Sequence, residues 1–251
     1  MDCLAMEAEP QDADADASES LQRLEWVHEV HAMLQGLTGV QVRDFAGASF
    51  VVVATAPAEE GAASSTPLFT MRLAFDQDTA ALAGAELLPA PAADGAPARP
   101  SLALARRNFA ALRAAKLKHV TAHAVARNDL RFLVREAREL CTNGAAQDAE
   151  LATLSARYPL SASAEQLVVT LPESVVATLE VGADYPRPHA PARLLELAAF
   201  NGWGEKRMKG VVDKVQQWQA AKPAKDEPPR HTLSAVIDAV LRAFKEFQAS
   251  V

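Results

Sequence analysis

Apolar residues return at three- and four-residue spacing through LQRLEWVHEVHAMLQGL. There Leu21, Leu24, Val27, Val30 and Leu34 would share one side of an amphipathic helix. Gly36 and Gly39 follow and close it. The period then shortens. VQVRDF, SFVVVATA (after an Ala46-Gly47 turn) and PLFTMRLAF (after a small-residue loop at 58–66) read as strands, and AGAELLP as a candidate fourth. PAPAADGAPARP, residues 89–100, has almost no apolar side chain larger than alanine and reads as an exposed loop. From Ser101 the pattern is helical again, with Leu104, Phe109 and Leu112 at roughly helical intervals. Asn128-Asp129 offers an N-cap to LRFLVREARELC, whose Leu130, Leu133, Val134, Ala137 and Cys141 share a face. Asn143-Gly144 is expected to interrupt that helix before AELATLSARY resumes it, the whole running from 130 to 157.

After Tyr158-Pro159 the order of elements repeats. QLVVTL and SVVATLEV are strands parted by Pro172-Glu173; ADYPRPHAP follows, and ARLLELAAF is a further strand. Two helices end the chain. Met208, Val211, Val212, Val215 and Trp218 stripe the first, and Leu233, Val236, Ile237, Val240, Phe244 and Phe247 the second. The segment Lys222–Arg230, with three prolines, joins them. Consecutive strands followed by helices predict an α+β fold, antiparallel meanders of three or four strands with helices on one face, in two tandem units. The expected division is a leader at 1–19, a first unit at 20–127 and a second at 128–251.

Charge sharpens this division. The chain has 251 residues and a net charge of −7, and residues 1–19 hold seven acids and no Lys or Arg. The rest is therefore neutral, and the acidity belongs to a leader expected to be disordered. Residues 101–138 carry nine basic groups against two acids, Asp129 and Glu136. Cys3 and Cys141 are too far apart in sequence to form a disulfide framework, which favours a reducing compartment. The acidic start, lacking an apolar segment, does not read as a signal peptide, and no run is long enough to span a membrane.

The order helix, strands, helix, with Tyr185-Pro186 after a strand, resembles the RWD domain, a relative of the ubiquitin-conjugating fold. Pro186 fixes φ and cannot donate to a ladder, so it ends the strand. Tyr185 can bury its ring while keeping its hydroxyl bonded. Pro188 and Pro191 stiffen the return, although the family pattern is YPxxxP and Pro191 stands one residue further on. Residues 20–248 taken together look like the tandem RWD region of the outer-kinetochore scaffold of the Knl/blinkin type. The resemblance extends to LQGLTGVQV and to Asn201-Gly202 before a helix. It implies a non-enzymatic scaffold in the nucleus, at the kinetochore of the centromere. There it would dock Mis/MIND complex subunits through a peptide tail during mitosis and chromosome segregation. The scaffold's long checkpoint-docking region has no counterpart here. Other double-RWD subunits, of the inner centromere or the THO mRNA-export complex, share the order of elements. An inactive ubiquitin-conjugating-like binding domain is a further alternative.

A conjugating enzyme needs a cysteine nucleophile after its YP turn, and no cysteine follows Tyr185. Cys141 precedes it, on an apolar helix face, and reads as a small core residue. His28 with His31, and His119 with His123, have helical spacing but no third ligand, and HEVH is not HExxH, so no metal is expected. No phosphate loop or GxSxG elbow is present; catalysis and a cofactor are not expected. Arg131, Arg135 and Arg138 stand at i, i+4 and i+7 on one helix face, fit for an acidic or carboxylate-ended peptide, with Glu136 and Glu139 in partial balance. A neutral body without an aromatic-interleaved basic motif argues against direct nucleic-acid binding.

Overall fold

The computed structural model describes residues 11–37, 39–55, 67–88, 99–163, 165–199, 204–221 and 229–249. The loop at 58–66, the Pro/Ala-rich stretch up to 98, Asn201-Gly202 and 222–228 of the linker lie outside them, as do residues 1–10 of the leader. The chain forms two compact units. The first holds the described residues up to Leu88 together with Thr121–Val134. The second holds those from Arg99 to Val120 and from Arg135 onward. This differs from a division between 127 and 128, because two long helices each contribute to both units.

In the first unit, helix α1 (Gln11–Gln35) precedes β1 (Val40–Ala46), β2 (Ser49–Thr55), β3 (Pro67–Phe75) and β4 (Leu82–Leu88), paired antiparallel in chain order. The helix begins at Gln11, so residues 11–19, expected in the leader, are helical. Phe69, Met71, Leu73 and Phe75 of β3 are buried on the two-residue period of a strand, and Phe50, Val52, Val53 and Ala54 of β2 are buried as well. Among the described side chains of α1, Trp26, Val30 and Leu34 are buried. The Trp26 ring lies 5.6 Å from Phe50 and 6.4 Å from Phe75, and its Nε1 donates to the Asp76 carbonyl at 3.0 Å. Leu21 and Leu24, expected on the buried stripe, are 63% and 65% exposed. The indole takes their place because it covers far more apolar surface than a leucine and has a donor to satisfy. Gly47, at φ +60°, makes the turn between β1 and β2.

Helix α2 (Pro100–Arg127) begins in the second unit, and α3 (Leu130–Arg157) ends in it. Between them Asp129 caps α3, its Oδ1 accepting the Phe132 N–H at 2.8 Å, while Asn128 Oδ1 accepts the Leu82 N–H of β4 at 2.8 Å. The second unit continues with β5 (Leu160–Ala162), β6 (Gln166–Leu171), β7 (Val175–Glu180), β8 (Arg193–Ala199), α4 (Glu205–Ala220) and α5 (Leu233–Ala249). The strands again form an antiparallel sheet in chain order. The described residues therefore make an α+β fold with two four-stranded antiparallel sheets and five helices.

Three expectations are corrected in the second unit. Helix α3 is unbroken through Asn143-Gly144. A Cβ on Gly144 would sit 2.8 Å from Arg113 Nε, so the glycine admits a neighbouring side chain and does not end the helix. From α2 it is Leu102, Ala105 and Phe109 that enter this unit's core, with Leu112 packed against them; Leu104 is 37% exposed. The sheet also gains β5, three residues long and too short to show a period.

The core of this unit joins Leu167, Val169 and Leu171 of β6 and Val175, Ala177 and Leu179 of β7 to the stripes of α4 and α5. In β8 the buried residues are Leu194 and Leu197, an odd spacing. The register explains it: Thr178 faces Glu196 and Leu179 faces Leu194, so Leu195 is an inserted bulge residue and is left 42% exposed.

Candidate docking site

The stretch from Ala183 to Pro191 leaves β7 through successive tight turns. Tyr185 N–H donates to the Gly182 carbonyl at 3.2 Å, Arg187 N–H to Asp184 at 3.2 Å, and Ala190 N–H to Arg187 at 2.9 Å. The Tyr185–Pro186 peptide is cis. Tyr185 is fully buried. Its hydroxyl donates to Glu150 Oε2 on α3 and accepts the Leu233 N–H at 2.6 Å. Glu150 Oε1 in turn accepts the Ser234 N–H at 2.8 Å, and Thr232 Oγ1 accepts that of Ala235 at 3.3 Å. The first three N–H groups of α5, which no intrahelical carbonyl can reach, are thus satisfied in turn by Tyr185, Glu150 and Thr232. Burial, with the adjacent Glu150 carboxylate, pushes the Tyr185 phenol well above its ordinary value, so it stays a donor.

Charge fastens the same turn to α2 and α3. Asp184 pairs with Lys116 and, at 3.8 Å, with Arg187, which also pairs with Glu139. Asn143 Nδ2 lies 3.5 Å from the Asp184 carbonyl. Tyr185, Pro186, Pro188 and Pro191 therefore mark a turn whose Asp184, Tyr185 and Arg187 side chains are engaged by α2, α3 and α5.

The surface beside the turn is more open. β8 is the last strand of its sheet, and α4 runs along it. Gln216 Nε2 donates to the Leu194 carbonyl at 3.0 Å, and Gln219 Nε2 to that of Ala192 at 2.7 Å. Two amide side chains thus occupy acceptors that an added strand would otherwise claim. A groove of about 490 Å³ follows this edge, lined by Glu180, Pro191, Arg193, Leu195, Gln216 and Gln219 among others. Its half-polar lining and the bulged, exposed Leu195 suit a peptide better than a small apolar ligand.

The arginines singled out by spacing are set in different surroundings. Arg131 belongs to the first unit, exposed, and its Nη2 would lie 3.5 Å from a Cβ on Gly36. Arg135, in the second unit, is exposed and pairs with Glu136 at 3.3 Å. Arg138 is half-buried. Cys141 is half-buried, and burial pushes its thiol up to about 11, far from the thiolate range of a nucleophile. His28, His119 and His123 are exposed, and the His123 ring lies 5.2 Å from Phe132, tilted 58° to it. Among the described residues no three His, Cys, Asp or Glu side chains converge on a metal position, and no helix is long and apolar enough to cross a membrane.

Glu150, Gln216 and Gln219 escape sequence reasoning. The glutamines leave one trace, an uncharged long pair at i, i+3 on the polar side of α4; Glu150 leaves none. Comparison with models of known families, with curated proteins and with solved structures finds no match.

Proposed function

We propose that the chain is a non-enzymatic adaptor of the outer kinetochore, a tandem-RWD module that docks the Mis/MIND complex through a peptide laid along the β8 edge. The observation that carries this reading is an order of elements met twice. A helix, a four-stranded antiparallel meander and a following helix occur in each half, and in the second half Tyr185-Pro186 lies in the connection between the third strand and the fourth. With those edge carbonyls held by Gln216 and Gln219, burial of the exposed Leu195 under the peptide supplies affinity, and the polar side chains lining the groove supply selection.

Tagged protein purified from mitotic cells tests it. Concentration at centromeres and recovery of Mis/MIND subunits are expected. Recovery of mRNA-export subunits instead sinks the assignment. Two variants divide the surface. Loss of recovery with Leu195→Asp assigns recognition to the β8 groove. Loss only when Arg131, Arg135 and Arg138 are all reversed to Glu assigns it to the arginine face of α3.

A further inference from the structure

Helix α1 carries more apolar surface than its own unit covers. Trp26, Val30 and Leu34 recur every four residues and are buried, whereas Leu21 and Leu24 are 63% and 65% exposed. No other large hydrophobic side chain among the described residues is as exposed as these two. Apolar side chains scattered singly over a surface are ordinary. Two at i and i+3 on one helix are neighbours and make a strip.

Charge decides what can lie on that strip. Helix α1 holds six acids (Asp12, Asp14, Asp16, Glu19, Glu25 and Glu29) and one base, Arg23. The β3–β4 turn, whose Asp76 carbonyl accepts the Trp26 N–H, adds the exposed carboxylates of Asp76 and Asp78. Four further bases belong to the described part of this unit. Arg43 is followed by Asp44, Arg72 pairs with Glu86 at 3.6 Å, and Arg127 stands two residues from Asp129. Arg131 lies beside Gly36, which is about 18 Å along the helix axis from Leu24 at 1.5 Å per residue. Across the described residues of the unit, eleven acids stand against five bases. Nucleic acid, an acidic lipid surface or a second copy of α1 would meet repulsion here. A cationic partner gains from the leucines and from the acids around them.

We propose that the strip at Leu21 and Leu24 docks a basic amphipathic helix of a partner protein, one with apolar residues at three- and four-residue spacing flanked by Lys or Arg. A helix suits the strip because rows of side chains three and four residues apart pack into the grooves of a second helix. This site lies in the first unit, apart from the β8 groove, so neither reading falls with the other.

The test uses the ¹⁵N-labelled full chain and three blocked synthetic peptides at micromolar concentration, each of three heptad repeats. The repeats are KLAALKA, its charge-reversed form ELAALEA, and KSAASKA, which keeps the charge and lacks the leucines. The KLAALKA peptide is expected to shift the amide signals of Leu21, Leu24 and His28, and the ELAALEA peptide to leave them unmoved. The KSAASKA peptide should bind about tenfold more weakly or worse, the worth of the lost leucine burial. The double variant Leu21→Ser with Leu24→Ser should weaken KLAALKA by a similar factor. Both side chains are exposed, so Trp26 and Phe50 signals should stay in place and report an intact fold. Equal response to KLAALKA and ELAALEA, shifts confined to other surfaces, or undiminished binding in the double variant overturns the proposal. Movement of the Leu21 and Leu24 signals when the free chain is diluted would assign the strip to a second copy and overturn it too.

Discussion

Tyr185 reaches its partners from three directions: its ring enters the core, its oxygen meets Glu150 on α3, and the same oxygen receives the Leu233 N–H of α5. Tyr185→Phe keeps the ring and removes only the oxygen, leaving Leu233 N–H and one Glu150 oxygen without it. A loss of about 1–3 kcal/mol in denaturant unfolding is expected, the cost of unsatisfied buried polar groups. The pH dependence has a definite sign. The folded phenol is raised above its ordinary value of 10.0, so its contribution is complete below that pH and is lost as the pH climbs above it. The alkaline limb of the stability curve should therefore be shallower in Tyr185→Phe than in the parent. An identical limb in both proteins would show that the hydroxyl is not held as described.

At the level of elements, β8 is kept from open pairing by Gln216 and Gln219. Replacing both with Ala leaves the Ala192 and Leu194 carbonyls uncovered at the end of the sheet. The double variant is expected to self-associate with rising concentration in sedimentation while retaining its far-ultraviolet spectrum. An equally monodisperse variant refutes the protective role. The same elements show what a pattern of residues can and cannot disclose. The strands β3 and β7 are legible from alternation at period two, and β2 and β6 from short β-branched runs, both of which need only local chain. Leu21 and Leu24 fall on the apolar stripe yet stay exposed, because helical periodicity gives a stripe but not which turn reaches the sheet; Trp26 against Phe50 and Phe75 decides that. Asn143-Gly144 looked like a break because its reason lies elsewhere in the sequence, in Arg113. Of the candidate docking site, the YP turn could be read directly. The groove could not, since it depends on a bulge in β8 and on two amides from another element.

For the molecule as a whole, α2 and α3 are divided between the units, and Leu102, Ala105 and Phe109 of α2 belong to the second core. A fragment of residues 128–251, cut where the sequence suggests, would lack them. It is expected to unfold with a broad, weakly cooperative transition, whereas the full chain keeps these residues in place. A sharp calorimetric transition from that fragment would show the α2 residues to be dispensable. The division also sets a schedule for a chain made from its N-terminus. The first unit has its last strand at Leu88 but waits for the segment ending at Val134 before it is whole. At ordinary elongation rates that interval is roughly 2–9 s. For those seconds a finished sheet stands on the ribosome without its last helical segment, and a chaperone that shields apolar surface would find its opening there.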